Sequence, residues 1–143
     1  TDLAIGTGVA RAAHERVFEE ITEIVHHSKL KKHRIGVCYD TQHAFACGYD
    51  CRAPEAWNET LKKFDKAIGL NKLKLFHCND SKTELGSRKD RHEHIGKGQI
   101  GLAGFKNILT DKRLRNINFV LETEPDGVAD DLTALKTIRA LSS

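Results

Sequence analysis

The sequence predicts an α/β protein organised around a parallel β-sheet, and three observations carry that reading. Short runs of strand-forming residues alternate with amphipathic helical stretches in the order α-β-α-β-α-β-α. Each connection between strand runs is long enough to contain a helix, which implies right-handed crossovers between parallel strands. Each strand run also ends at a residue that can bind a metal: Asp40, His77 and Glu122.

The elements follow in order. Over residues 10–27, Val17, Phe18, Ile21, Ile24 and Val25 recur at helical spacing, with Glu and Arg on the other face. Residues 35–39 (IGVCY) form a strand, preceded by the basic run KLKKHR and followed by the loop that carries His43. A second helix opens at Ala53-Pro54, where proline suits the first turn, and sets Trp57, Leu61, Phe64 and Ile68 on one stripe before Gly69 stops it. Residues 73–76 (LKLF) form the second strand and lead into His77-Cys78-Asn79-Asp80. A polar, glycine-bearing loop then runs to Gly101, a length of about twenty residues that is uncommon in compact domains unless the loop has a function. A helix over 102–109, a strand over 117–121 (INFVL) and a helix over 130–141 that turns Leu132, Leu135 and Ile138 inward complete the pattern. No internal repeat or low-complexity segment interrupts it.

The composition narrows the function classes. With 143 residues, the chain can form one domain with one core. Its 39% hydrophobic and 30% charged residues are those of a folded globular chain. No apolar run is long enough to span a bilayer, so no membrane partner is expected. A net charge of +3 permits a polyanionic partner without demanding one. The four cysteines show neither zinc-finger spacing nor the density of a secreted disulfide scaffold, and Cys38 and Cys78 fall inside apolar strands. An intracellular, reducing location is therefore expected: the cytoplasm, or the nucleus or mitochondrion of a eukaryote. The sequence starts with Thr and contains no Met, as a processed chain or part of a longer product would.

In a parallel α/β sheet the C-terminal strand ends gather on one face, so Asp40, His77 and Glu122 are expected together there. Carboxylates and imidazole suit zinc or manganese. The bland alternative is that three polar residues end strands by coincidence. The loops add His43 and the run Asp90-Arg91-His92, where Asp and His at i and i+2 of an extended segment can face one ion. Two neighbouring metal sites follow, an arrangement suited to hydrolysing a phosphate ester. His94, like His14, His26, His27 and His33, is read as an exposed histidine without a partner. Around the loop ligands, Lys82, Arg88, Lys89, Arg91 and Lys97 alternate with Gly86, Gly96, Gly98 and Gly101, side chains and backbone amides of the kind that bind phosphate oxygens.

The runs GVCYDTQHAFACGYD (36–50) and HCNDSKTELGSRKDRHEHIGKGQIG (77–101) and the LETE at 121–124 closely resemble the endonuclease IV family of apurinic/apyrimidinic endonucleases. The resemblance runs from about Arg34 to the end, and residues 1–33 match poorly apart from their amphipathic helix. It implies the C-terminal portion of a TIM (β/α)8 barrel, about three parallel strands with flanking helices, forming one partial domain over 1–143. It further implies a zinc-dependent enzyme of base excision repair that cuts double-stranded DNA on the 5′ side of an abasic site and leaves a 3′-hydroxyl. The family uses three zinc ions, of which at most two sites are expected here. On its pattern Asp40, His77 and Glu122 resemble the ligands of one, with Asp40 and Glu122 catalytic, and His43, Asp90 and His92 resemble the ligands of another. Arg91, Arg88, Lys82 and Asn79 resemble its DNA-contacting segment, with Asn79, Ser81 and Lys82 supporting the ligands or touching the DNA backbone.

Two further His ligands and a bridging Glu of the family are missing. No Glu occurs before Glu15, and residues 4–10 (AIGTGVA) share only scattered glycines with the pattern. The alternative to an enzyme is a truncated, non-catalytic zinc- or DNA-binding remnant. A sugar isomerase shares the barrel but gives no reason for the DRH loop. Three strands cannot close a barrel, so the chain alone is expected to be marginally stable, oligomeric, or completed by a missing N-terminal half.

Overall fold

A computed structural model describes residues 3–6, 17–27, 35–122, 126 and 128–140. Its centre is a parallel sheet of four strands in the order β1-β2-β3-β6, formed by β1 (Leu3–Gly6), β2 (Ile35–Asp40), β3 (Leu73–Cys78) and β6 (Asn118–Leu121). The sheet thus has one strand more than the three expected. The extra strand pairs Leu3 with Ile35 and Gly6 with Cys38. Its LAIG sequence has little strand propensity of its own, and pairing with β2 is what makes it extended.

Between the strands lie α1 (Val17–His27), α2 (Thr41–Ala46), α3 (Pro54–Ala67) and α4 (Gly101–Leu109), and α5 (Val128–Ala140) follows the last strand. The expected helix over 10–27 is seen from Val17 onward; 10–16 lie outside the described residues, as do the KLKKHR run, Leu141 and residues 123–124 of the LETE motif. Two elements were not expected. The segment TQHAFA after β2 is a helix rather than a loop, nucleated because the Asp40 side chain accepts the His43 amide as an N-cap. The long polar loop contains a small antiparallel ribbon of β4 (Asp80–Ser81) and β5 (His92–Glu93), which pairs Asp80 with Glu93 and Ser81 with His92.

The core lies between the sheet and the helices. The Tyr39 ring packs against those of Phe18, Trp57, Phe64 and Phe76, with centroids 4.9–6.2 Å away, and Phe76 stacks on Phe119 at 4.9 Å. Helix α3 buries Trp57, Leu61 and Phe64 as its stripe predicts, and Trp57 Nε1 donates to Asp111 Oδ2 at 3.0 Å. The Thr22 hydroxyl donates to the Ala67 carbonyl at 2.7 Å and ties α1 to the end of α3.

In each of two helices one residue expected inside is exposed, while the rest of the expected stripe that is described is buried. Leu132 is 42% exposed, and the buried stripe of α5 is instead Asp131, Leu135 and Ile138. Ile24 is likewise exposed, while Phe18, Ile21 and Val25 are buried. All four cysteines are free thiols; Cys38, Cys51 and Cys78 are buried and Cys47 half-buried. No helix among the described residues is long and apolar enough to cross a membrane.

Candidate metal centre

The register of the sheet explains why the strand-end residues meet. Asp40 of β2 pairs with His77 of β3, which pairs with Val120 of β6, so Glu122 lies just beyond the same level. His77 Nδ1 is 2.9 Å from Glu122 Oε2 and 3.8 Å from Asp40 Oδ2. Asp40 is almost fully buried, and Asn79 Nδ2 donates to its Oδ2 at 2.9 Å. That carboxylate is therefore oriented from two sides, by the His43 amide and by the Asn79 side chain.

The second group assembles from separate elements. His43 lies on α2, one turn after its Asp40 cap, and His92 lies on β5 across the ribbon from Ser81. Asp90 Oδ1 sits 3.2 Å from His43 Nε2 and 3.4 Å from His92 Nε2, and the two imidazoles are 5.2 Å apart between ring centroids. The structure brings all three residues of this expected set together. Asp40 also has an oxygen within 4.8 Å of ligand atoms on His43 and His92. Since Asp40 Oδ1 already accepts the His43 amide, Asp90 is the better placed carboxylate for this pair.

Both groups fit a small tetrahedral cation. Ligand bonds of about 2.0–2.1 Å at tetrahedral angles place donor atoms about 3.3 Å apart, and the separations here bracket that value. Both ring nitrogens of His43, and Nε2 of His92, are buried without a hydrogen-bond partner. Buried polar atoms are ordinarily paired, because leaving one unpaired costs about 1–3 kcal/mol. An ion held by Nε2 of His43 and of His92 would satisfy those two atoms, while His43 Nδ1 faces Asp40 Oδ1 at 3.5 Å.

The expected DNA-contacting residues separate into three environments. Lys82 and Arg91 are exposed and line, with Asp90, His92 and Glu122, a depression of about 230 Å³ beside the metal groups. Arg88, whose backbone has φ +58°, lines a different cleft of about 770 Å³ with Phe18, Tyr49, Lys63 and Lys66. Asn79 is fully buried, and its side chain donates to the Asp40 carboxylate.

The glycine amides expected to bind phosphate are turned inward. Gly96, Gly98 and Gly101 donate to the Asp80 carboxylate, and Gly86 donates to the Phe45 carbonyl. His94 is not partnerless: its Nδ1 lies 3.0 Å from Asp131 Oδ2 and its Nε2 3.2 Å from Asp126 Oδ1. The hydrogen bond with Asp131 raises the His94 imidazole above its ordinary value. His26 and His27 are exposed as expected, although His27 Nδ1 contacts the Glu23 carbonyl at 2.8 Å; His14 and His33 lie outside the described residues.

Three supporting residues escaped the sequence reading. Gln42 is fully buried and donates from Nε2 to the Lys89 carbonyl at 2.8 Å, next to Asp90. Asp131 accepts the Ile95 amide at 2.9 Å as well as facing His94. The Thr41 hydroxyl accepts the Asn79 amide at 2.8 Å and donates to the Asn79 carbonyl at 2.6 Å, joining β2 to β3 beyond their last shared register pair. Thr41→Val should strand both backbone groups and cost about 1–3 kcal/mol, read as a lower denaturant midpoint with an unchanged slope.

Comparison with known proteins agrees with the fold. Residues 10–142 match the family model described as xylose isomerase-like TIM barrel. A probable endonuclease 4 of Campylobacter fetus is 47% identical over 122 residues, 85% of this chain and 43% of that protein. An apurinic-apyrimidinic endonuclease of Caenorhabditis elegans is 50% identical over 110 residues, 77% of this chain and 27% of that protein. The crystal structure of endonuclease IV from Thermus thermophilus superposes with a TM-score of 0.72 at 34% identity, covering 87% of this chain and 44% of that one. The chain thus spans less than half the length of these relatives. Its four parallel strands are part of a barrel, and it belongs to the xylose isomerase-like TIM-barrel family, resembling the C-terminal part of the endonuclease IV proteins within it.

Proposed function

We propose that this chain carries part of the active site of a zinc-dependent DNA repair endonuclease, one that hydrolyses the phosphodiester 5′ to an abasic site in double-stranded DNA and leaves a 3′-hydroxyl. The observation that supports it most is the convergence of His43, Asp90 and His92, with buried imidazole nitrogens that have no hydrogen-bond partner. The names of the relatives, endonuclease 4 and apurinic-apyrimidinic endonuclease, supply the substrate class.

In this reading Asp40, His77 and Glu122 would hold one zinc ion and His43, Asp90 and His92 a second. The mixed imidazole and carboxylate donors favour zinc, with manganese the next candidate. When bound, zinc supplies Lewis acidity toward a phosphoryl oxygen and lowers the pKa of water to about 7. The chain's own residues do the rest. Asn79 and the His43 amide aim the Asp40 carboxylate, and Glu122, 54% exposed, stands at the solvent side of the strand-end group. Lys82 and Arg91 flank the depression and hold the phosphodiester strand against it by charge. Arg88 lines the separate cleft beside Tyr49 and Lys66 and would meet another part of the duplex. A DNA substrate places the protein inside the cell.

The shared length favours a second reading, a zinc- and DNA-binding remnant without turnover, because the chain covers 43–44% of two of its relatives. An abasic-site duplex incubated with the purified chain, with and without added zinc, separates the two. Zinc-dependent cleavage 5′ to the lesion is the expected result. Duplex binding without cleavage selects the remnant, and a chain that neither retains zinc nor takes it up when it is added defeats both.

A further inference from the structure

The segment that delivers Asp90 and His92 is tied down by a buried anion. Asp80 is fully buried. Its Oδ1 accepts the amides of Ser81 at 2.7 Å and Ile100 at 2.9 Å. Its Oδ2 accepts those of Gly96 at 2.9 Å, Gly98 at 3.1 Å and Gly101 at 3.1 Å. Burial raises the Asp80 carboxyl above its ordinary range, and the surrounding amides offset part of that rise. The packing is close enough to exclude a side chain at position 98, where a Cβ would come within 2.4 Å of the Ser81 carbonyl oxygen and 2.5 Å of Asp80 Oδ1.

We propose that Asp80 is a positioning residue for the loop metal group, setting the distance of His92 and Asp90 from His43. The connection is short. Asp80 and Ser81 form β4, Ser81 pairs with His92, and the Lys82 amide donates to the Arg91 carbonyl at 3.0 Å. The Gln99 amide donates to the Ser81 carbonyl at 2.8 Å, so β4 is held between β5 on one side and the segment Asp80 gathers on the other. At the other end of the ribbon, Gln42 holds the Lys89 carbonyl and the Ala46 carbonyl accepts the Arg88 amide, both from α2, the helix that bears His43. His92 is thus registered through Asp80, and Asp90 lies between the two attachments. The glycines of this segment serve a carboxylate of the chain itself, which is why they are unavailable to a phosphate from outside.

The proposal rests on the reading that His43, Asp90 and His92 hold an ion. Asp80→Asn tests it, because the amide keeps the side-chain volume but turns an NH2 group toward amide donors. Cobalt(II) titration, followed by its visible absorption, should give two classes of site in the 143-residue chain, assigned with His43→Ala and His77→Ala. In Asp80→Asn, affinity at the His43 group should fall about 10- to 100-fold, as when an outer-shell partner is lost, while the His77 group keeps its affinity. Equal losses at both groups, tracking a lower melting temperature, or no loss at either, overturn the proposal.

Amide exchange in the metal-free chain gives a second readout. The Gly96, Gly98, Ile100 and Gly101 amides should exchange slowly in the wild type, and the Lys82 amide should lose protection in the variant. Unprotected glycine amides, or a Lys82 amide unaffected by the substitution, count against Asp80. A wild-type chain that takes up no cobalt defeats the metal reading, and exchange alone then decides whether Asp80 holds the ribbon. Should Asp80→Asn not fold, Gly98→Ala carries the same readouts.

Discussion

If the proposed function holds, Asp40→Ala is expected to abolish metal uptake at the strand-end group and to lower any cleavage by more than the roughly 10- to 100-fold seen on losing an outer-shell partner. Asp40 performs three tasks at once: it caps α2 through the His43 amide, receives the Asn79 side chain, and faces His77 at the end of the neighbouring strand. Losing the cap costs about 1 kcal/mol, and the stranded Asn79 amide about 1–3 kcal/mol more. Because the cap sets the start of α2, His43 should shift too, so zinc content should fall at both groups. Asp40→Asn separates the effects, since its carbonyl can still cap the helix while its charge is gone. Elemental analysis of the two purified variants, alongside their melting temperatures, checks this. Full zinc occupancy in Asp40→Ala would remove Asp40 from the ligand set.

The largest loss of stability is expected from Phe76→Ala. Phe76 is fully buried in the middle of β3, its ring 4.9 Å from Tyr39 and stacked at 4.9 Å on Phe119, with Trp57 at 6.5 Å. Removing it empties the junction between three strands and α3, at a cost of about 3–5 kcal/mol. Against a typical total of about 5–15 kcal/mol, that leaves little in a sheet which, among the described residues, is an open run of four strands. Urea unfolding should show a midpoint lowered in proportion. A change under about 1 kcal/mol would mean that the aromatic cluster contributes far less than its burial implies.

The features legible in the sequence are those that depend on near neighbours. The runs IGVCY, LKLF and INFVL are short and apolar-rich, and a polar residue follows each, so Asp40, His77 and Glu122 could be placed at or within one residue of the strand ends without coordinates, although β3 runs on to Cys78. The i, i+2 spacing of Asp90 and His92 was legible for the same reason. The α3 stripe of Trp57, Leu61 and Phe64 followed from helical spacing alone.

What escaped depends on partners distant in the chain. LAIG is a strand because β2 lies beside it; TQHAFA is the exception, a helix capped by Asp40 immediately before it. Leu132 and Asp131 are adjacent on α5, and spacing pointed to the leucine. The His94 imidazole and Ile95 amide face that helix, however, and a carboxylate satisfies both. The glycines of the long loop suggested an anion outside the protein, but the anion they surround is Asp80.

By itself, then, the sequence determined the alternating α/β order, the residues able to bind metal, and the resemblance to endonuclease IV, all of them properties of local spacing and residue chemistry. Only the tertiary structure decided which histidines share a carboxylate, which arginine lies outside the depression, and where the glycine amides point. Those outcomes turn on distances of a few ångströms between segments tens of residues apart, and such distances are set by sheet register and buried hydrogen bonds rather than by any one stretch of chain.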